Sequence, residues 1–365
     1  MSKVHNFSAG PAILPQSAID ASIEALKNFA GTGLSLIEVS HRSKEYEAVV
    51  NEATDLVKSI LGLNDEYAVL FLQGGASMQF DMIPMYFLGE NEKAAYVNTG
   101  VWASRAIKEA KIFGQVEVVA TSEDKNFSYI PKNYTLPADA KYFHCTSNNT
   151  IYGTEMFDFP DTGGVPLICD MSSDIFSRPI DATRFDMIYA GAQKNMGPAG
   201  TTLVIIRKSF LEKKVERKIP VMMDYNVHIT NGSMYNTPSV FAIFVCMHTL
   251  RWIKEMGLEK MEARNKAKAE LLYSEIDRNP LFKGTVEKED RSRMNVNFVL
   301  HNPEFEAEFL TFCKAKNLSG LKGHRSVGGL RASLYNALPL ESVQALVDTM
   351  QEFEKMKTET SATGK

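Results

Sequence analysis

Long apolar runs are missing from this 365-residue chain, and none approaches membrane-spanning length. Cysteine is scarce. Cys145, Cys169, Cys246 and Cys313 lie far apart and form no CxxC pair, which speaks against a disulfide framework or a thiolate metal site and fits a reducing cytosol. The opening Met1-Ser-Lys-Val-His-Asn-Phe-Ser-Ala-Gly-Pro11 lacks the apolar core of a signal peptide, so a cytoplasmic protein without membrane attachment is expected. Positive charge is not in excess either. The 40 Lys and Arg against 44 Asp and Glu leave a net charge of −4, which argues against a nucleic-acid binder. Any anion must therefore be met by a local cluster. No internal repeat is visible, and the polar tail Thr358–Lys365 reads as disordered. What remains is an ordinary globular composition, 44% hydrophobic and 23% charged, in a chain longer than one typical core. Two domains are expected.

One lysine stands out. Met187–Ala190 and Leu203–Ile206 read as buried strands, and Gly191, Gly197, Pro198 and Gly200 between them as turn residues. Lys194 thus lies where the chain turns between two strands. An ammonium there is costly unless it is paired, loses its proton or is consumed in a covalent bond, and a lysine so held suits Schiff-base chemistry. A surface lysine on a hairpin loop fits the same stretch.

Upstream, the apolar run Val165-Pro-Leu-Ile-Cys ends in Asp170, and ligands of open α/β sheets collect at the carboxyl ends of strands. Pyridoxal phosphate needs a lysine for its aldehyde and an acid beside its pyridinium nitrogen. Lys194 and Asp170 meet both demands, although an Asp after a strand is also a common helix cap.

Ser17 is expected to cap a helix whose apolar residues are Ile19, Ile23, Leu26 and Phe29. His41 and Arg42 precede an amphipathic helix bearing Tyr46, Val49, Val50, Ala53, Leu56 and Ile60. A helix start with an Arg fork suits an anion, while Ser43 capping beside two surface side chains is the plainer reading. Gln73-Gly-Gly-Ala-Ser77 joins a buried strand to a helix. It is neither a Walker loop nor a dinucleotide fingerprint, and it is either a tight turn or a phosphate cradle offering Ala76 and Ser77. Trp102, one of 2 tryptophans, stands at a strand-to-helix junction, where an indole either packs in the core or stacks on a ring. Alternating strands and helices imply an α/β fold with a mainly parallel, wound sheet. Pro238 is expected in the first turn of an apolar helix from Val240 to Met256, and the last helix spans Glu341 to about Met356. From Gly257 the character changes, so a large domain over 16–257 and a smaller α/β domain over 258–365 are expected. In the latter, Gly323-His-Arg-Ser-Val-Gly-Gly-Leu-Arg331 reads as a loop built to approach an anion, or as a solvated basic loop.

Three stretches carry a resemblance: Tyr189-Ala-Gly-Ala-Gln-Lys-Asn-Met-Gly-Pro-Ala-Gly200, Ser40-His-Arg-Ser-Lys-Glu45 and Gly323-His-Arg-Ser-Val-Gly-Gly-Leu-Arg-Ala-Ser-Leu-Tyr-Asn-Ala337. With the Ser40 stretch first, the Tyr189 stretch second and the Gly323 stretch last along the chain, and with a likeness running from Asn6 to about Phe353, the sequence resembles the phosphoserine aminotransferase family of class V pyridoxal-phosphate enzymes. The resemblance implies a fold-type I architecture with a seven-stranded-type sheet, the N-terminal arm 1–15 packing with the small domain, and pyridoxal 5'-phosphate on Lys194. It implies Asp170 at the ring nitrogen, Trp102 stacked on the ring, Thr150 near the phenolic oxygen and Gln193 beside the lysine. Ala76 and Ser77 would hold the cofactor phosphate, although some relatives carry an arginine at the latter position. Asn236 and Thr237 would reach the neighbouring subunit's cofactor phosphate in a homodimer with shared sites. His41, Arg42, His324 and Arg325 would take the distal acidic group of the substrate, and Arg331 its α-carboxylate. The implied reaction moves an amino group from glutamate to 3-phosphohydroxypyruvate in L-serine biosynthesis, with 4-phosphohydroxy-L-threonine in pyridoxine biosynthesis as a further substrate of some relatives.

Two kinds of competitor stand beside it, another enzyme on the same fold and a non-catalytic protein. A serine–glyoxylate type aminotransferase would have little use for the basic cluster, and a cysteine desulfurase needs a mobile nucleophilic thiol where Cys313 reads as helical. A non-catalytic scaffold would not need Asp170, Gln193 and Lys194 together.

Overall fold

The computed structural model describes residues 4–363. A short strand β1 (His5–Asn6) opens the arm, which leads to helix α1 (Gln16–Lys27). Here the structure differs from the sequence reading. The helix is capped by Pro15, whose carbonyl accepts from the Ala18 and Ile19 amides, so Ser17 lies inside it. Its buried face is Ala18, Ser22 and Ala25, while Ile19, Ile23 and Leu26 are exposed. Small side chains let two helix backbones approach closely, so the inner face is the less apolar one.

Helix α2 (Lys44–Leu61) starts at the expected Ser43 cap, whose hydroxyl accepts from the Tyr46 amide at 3.3 Å, and Gly62 ends it at φ 66°. Then strands alternate with helices: β2 (Tyr67–Leu72), α3 (Gly75–Phe87), β3 (Lys93–Asn98), α4 (Val101–Ala110), β4 (Gln115–Thr121), β5 (Phe143–Thr146), β6 (Leu167–Asp170), β7 (Met187–Gly191) and β8 (Thr202–Arg207). These strands form one seven-stranded sheet in the order β2-β8-β7-β6-β5-β3-β4. Only β8 runs against its neighbours. The carboxyl ends of β2, β3, β5, β6 and β7 therefore share one edge, and the candidate residues gather there.

Both faces of the sheet are covered, as continuous apolar strands require. Ile188, Ala190, Leu203 and Ile205 face a core shared with α2. Met187, Tyr189, Val204 and Ile206 face one shared with α3 and α4.

After α5 (Tyr225–Thr230) come α6 (Val240–Met256) and α7 (Leu258–Arg278). Ser239 caps α6 and Pro238 precedes the cap, two residues ahead of Val240 rather than in the expected first turn, because Ser239 keeps a non-helical backbone. A third core forms around β9 (Phe282–Gly284), β10 (Asn295–Leu300), α8 (Glu306–Ala315), β11 (Leu318–Ser319), β12 (Leu330–Ser333) and α9 (Leu340–Thr363). Strands β12-β10-β9 make an antiparallel sheet, and β1 pairs in parallel with β11. Phe7 of the arm lies in this third core. Helix α9 outruns its expected end: residues 358–363 of the supposed tail are helical, and residues 364–365 lie outside the described residues. Lys357 holds that end down, pairing with Glu308 and lying 4.4 Å from the Phe305 ring.

Candidate active site

The turn between β7 and β8 is wound tightly enough to aim one side chain inward. The amides of Met196 and Gly197 both donate to the Ala192 carbonyl, and Ala192 donates to Thr201. A Cβ at Gly197 would lie 2.3 Å from Cys246 Sγ, so α6 presses directly on this turn and only glycine fits. From the other side comes the arm, with the Ala12 amide donating to the Gln193 carbonyl at 3.0 Å. Gly10, at φ +140°, sits where a Cβ would be 3.3 Å from Lys194 Cγ. Gln193 packs back on Gly191 rather than outward.

Held in this way, Lys194 is half-buried, donates to Thr150 Oγ1 at 2.7 Å and has its amine 5.6 Å from the centre of the Trp102 ring. Burial lowers its pKa to about 8, against the pull of Asp170, with Arg331 adding to the decrease. The amine is far closer to its nucleophilic form at neutral pH than an ordinary lysine.

Asp170 ends β6 and is buried, with its Oδ1 accepting from the Ser172 amide at 2.9 Å. Burial raises its pKa, while Ser172 and Lys194 oppose the rise. One turn on, Asp174 accepts from Ser147 at 2.5 Å, and burial with the nearby Glu155 pushes it up to about 7. Asp174 follows Asp170 through Met171-Ser-Ser, a spacing that the local sequence does not mark as functional. His144 meets Tyr189 at 2.8 Å and stacks on Tyr96, and burial lowers it to about 3. It is a core histidine.

At the β2–α3 junction Gly74 and Gly75 adopt φ of 89° and 67°, opening the first turn of α3 at Ala76 and Ser77, which carries no acidic residue. A chain reversal of this kind points amide groups at an anion. Gln73 donates to the Thr237 carbonyl at 3.0 Å and accepts from Asn236 at 3.1 Å, so both residues sit beside this loop within the same chain.

Trp102 opens α4, and its Nε1 is buried with no partner. Arg331, on β12, donates to the Thr150 carbonyl at 3.2 Å, and its Nε is buried and unpartnered. An arginine half out of water with a free N–H is a waiting carboxylate site. His324 is half-buried against Ser326, and Arg325 is exposed; burial lowers the pKa of His324, followed by the fields of Arg331, Arg325 and Arg105. The structure thus brings Lys194, Asp170, Thr150, Trp102, Gln193 and Arg331 together, with His324 and Arg325 within their field. It joins His41 and Arg42 to them by no hydrogen bond or ion pair among the described residues. Those two stand at the start of α2, and His41 Nε2 is buried without a partner. Tyr335 also went unassigned in the sequence; its hydroxyl donates to the Ala9 carbonyl at 2.7 Å, tying β12's exit to the arm.

Residues 4–346 match the family described as aminotransferase class-V. Phosphoserine aminotransferase of Flavobacterium johnsoniae is 58% identical over 354 residues, spanning 96% of this chain and 99% of that protein. The enzyme of the same name from Bacteroides fragilis is 57% identical, over 97% of this chain and 99% of its own length. Among solved structures, phosphoserine aminotransferase from Bacillus circulans subsp. alkalophilus superposes with a TM-score of 0.94 at 47% identity, covering 97% of this chain and 99% of that one. The PLP-bound phosphoserine aminotransferase of Trichomonas vaginalis gives a TM-score of 0.91 at 41% identity, over 96% and 100%.

Proposed function

This chain belongs to the class-V aminotransferases, in their phosphoserine aminotransferase family, and we propose that it transfers the amino group of L-glutamate to 3-phosphohydroxypyruvate, giving O-phospho-L-serine and 2-oxoglutarate in L-serine biosynthesis. The fold is that of the type I pyridoxal-phosphate transferases, and the cofactor is pyridoxal 5'-phosphate. The residues present fit it. Lys194 is a depressed amine, Asp170 a buried acid, the Gly74–Gly75 turn an anion cradle, and the Trp102 N–H an orphaned donor in need of an acceptor. When bound, the cofactor supplies an aldehyde for the amine and a ring that draws electrons from the substrate Cα.

The chain's own groups do the rest. Asp170 holds a proton at the ring nitrogen. Lys194 carries the Cα proton as base and then returns it as acid, with Thr150 steering its amine. Arg331 grips the α-carboxylate. His324, Arg325, His41 and Arg42 meet the distal anion, carboxylate in one substrate and phosphate in the other. The observation that carries the reading is the pairing of a buried amine, 2.7 Å from Thr150, with the free Nε of Arg331 on the same threonine's backbone.

The reading extends to a large part, 16–257, that holds the cofactor and a small part, 258–365, joined by the arm 1–15. It includes a homodimer in which Asn236 and Thr237 serve the neighbour's phosphate loop. Support comes from exposed Val221, Met222 and Tyr235, the last of which adjoins Asn236 in the chain, apolar surface that a second copy would cover. A cytoplasmic location is supported by four buried, unpaired cysteines.

A half-reaction tests the proposal. Phosphoserine and glutamate, each added alone to the yellow protein, should shift its absorbance far faster than alanine or aspartate. Equal rates with alanine would overturn it.

A further inference from the structure

Thirteen arginines occur in the chain, and the structure accounts for most of them by ion pairs or by backbone carbonyls. Arg207, Arg251, Arg278, Arg291 and Arg293 face carboxylates, and Arg184, Arg217 and Arg264 donate to carbonyls. Among the described residues, the guanidinium groups of Arg42, Arg105 and Arg325 are those left without a hydrogen bond or an ion pair. Two of the three already belong to the proposed site. The third does not.

Arg105 lies one helical turn after Trp102 on α4, so the two share a face. Its guanidinium carbon stands 4.9 Å from the centre of the Trp102 ring, and the Lys194 amine stands 5.6 Å from that same centre. The reacting amine and the free guanidinium are thereby anchored to one indole. The helix itself is fixed against the site wall, since a Cβ at Gly100 would come 2.7 Å from Asn149 Oδ1, beside Thr150. Arg105 also contributes to the positive field at His324, together with Arg331 and Arg325. Among the described residues, no carboxylate forms an ion pair with Arg105. Like charges gathered without a counter-charge are destabilising unless a ligand brings one.

We infer that Arg105 is a specificity-determining residue: it contacts the distal anion of the substrate from the Trp102 side, opposite the His324–Arg325 loop, and favours phosphate over carboxylate. This rests on the transamination proposed above. A dianionic phosphate has three oxygens to share among several donors, whereas a carboxylate has two, so an extra guanidinium benefits phosphoserine more than glutamate.

The test uses the full-length holoenzyme and the variants R105Q and R105K. Half-reaction kcat/KM is measured with phosphoserine, glutamate and alanine, and inorganic phosphate is titrated against tryptophan fluorescence. R105Q should lose about ten- to a hundredfold with phosphoserine, clearly less with glutamate, and stay within about twofold with alanine. Phosphate binding should weaken about tenfold, and R105K should recover part of both losses. An unchanged phosphoserine-to-glutamate ratio in R105Q, or in R105K should the first variant not fold, overturns the inference while the unmodified enzyme's preference for phosphoserine upholds the proposed function. Equal losses with all three amino acids also overturn it, reducing Arg105 to a brace for Trp102. An unmodified enzyme without any preference for phosphoserine over alanine removes the proposed function, and the role of Arg105 with it.

Discussion

Lys194 Nζ and Thr150 Oγ1 lie 2.7 Å apart, although 44 residues separate them in the chain. One lies in the turn after β7 and the other in the loop after β5, and two adjacent parallel strand pairings, β5 to β6 and β6 to β7, set the distance between them. The position of the amine is therefore a property of the sheet.

Its titration should follow. With a pKa lowered to about 8 by burial, Lys194 is mostly protonated at pH 7 and mostly neutral at pH 9. Only the neutral amine attacks an aldehyde. The rate of pyridoxal phosphate loading into the cofactor-free protein should rise through pH 8 and level above it, read as growth of the visible absorbance. A midpoint near 10 would mean an ordinary lysine. Lys194→Ala should bind no cofactor covalently and turn over nothing.

Asp170→Asn keeps an oxygen for the Ser172 amide, now 2.9 Å away, but cannot hold a ring proton. Transamination should fall about a hundred- to a thousandfold, the size of loss seen when one charge-stabilising group leaves a preorganised site. The melting temperature should change little. Near-native turnover in this variant would exclude Asp170 from the ring nitrogen.

Arg331→Gln removes a guanidinium shared by every amino-acid substrate. The half-reaction kcat/KM should drop about ten- to a hundredfold for phosphoserine, glutamate and alanine alike. Selective loss of phosphoserine would instead move Arg331 to the distal end.

Gly197→Ala forces a methyl group to within 2.3 Å of Cys246 Sγ. Overpacking of this kind costs about 1–3 kcal/mol, and the turn that aims Lys194 is what must shift. Denaturant melts should show the loss, together with reduced activity. Adding Cys246→Ala removes the obstructing sulfur and should restore most of the stability; an additive double mutant would show that the contact is not the cause.

Much of this site could be read in the sequence because its chemistry sits next to short-range punctuation. Asp170 follows an apolar run, Lys194 lies among glycines, and Gly74–Gly75 interrupt a strand–helix junction. The long-range part could not be read that way. Nothing local brings Arg331 to Thr150, 181 residues away, or the arm to Gln193. Arg105 is not marked by the sequence because an exposed arginine on a helix is common, and what distinguishes it is its seat on Trp102 without a hydrogen bond or ion pair among the described residues. Helix α1 misled for a physical reason: its apolar stripe Ile19, Ile23 and Leu26 is real, but the face with alanines and serine allows the closer approach. The tail misled because polar composition says nothing of an anchor such as Lys357 on Phe305.

The arm has a consequence for how the protein is made. Its strand β1 pairs with Leu318–Ser319, Phe7 accepts from the Ser333 amide, Ala9 accepts from Tyr335, and Ala12 donates to the lysine turn. The arm thus finds these partners only after the chain has been made as far as Tyr335. A nascent chain can complete the seven-stranded sheet and still hold Lys194 without the lid that Gly10 and Ala12 place over it. That lid closes only once the stretch from Leu318 to Tyr335 has been made, so a nascent chain short of it carries the lysine but not the finished site.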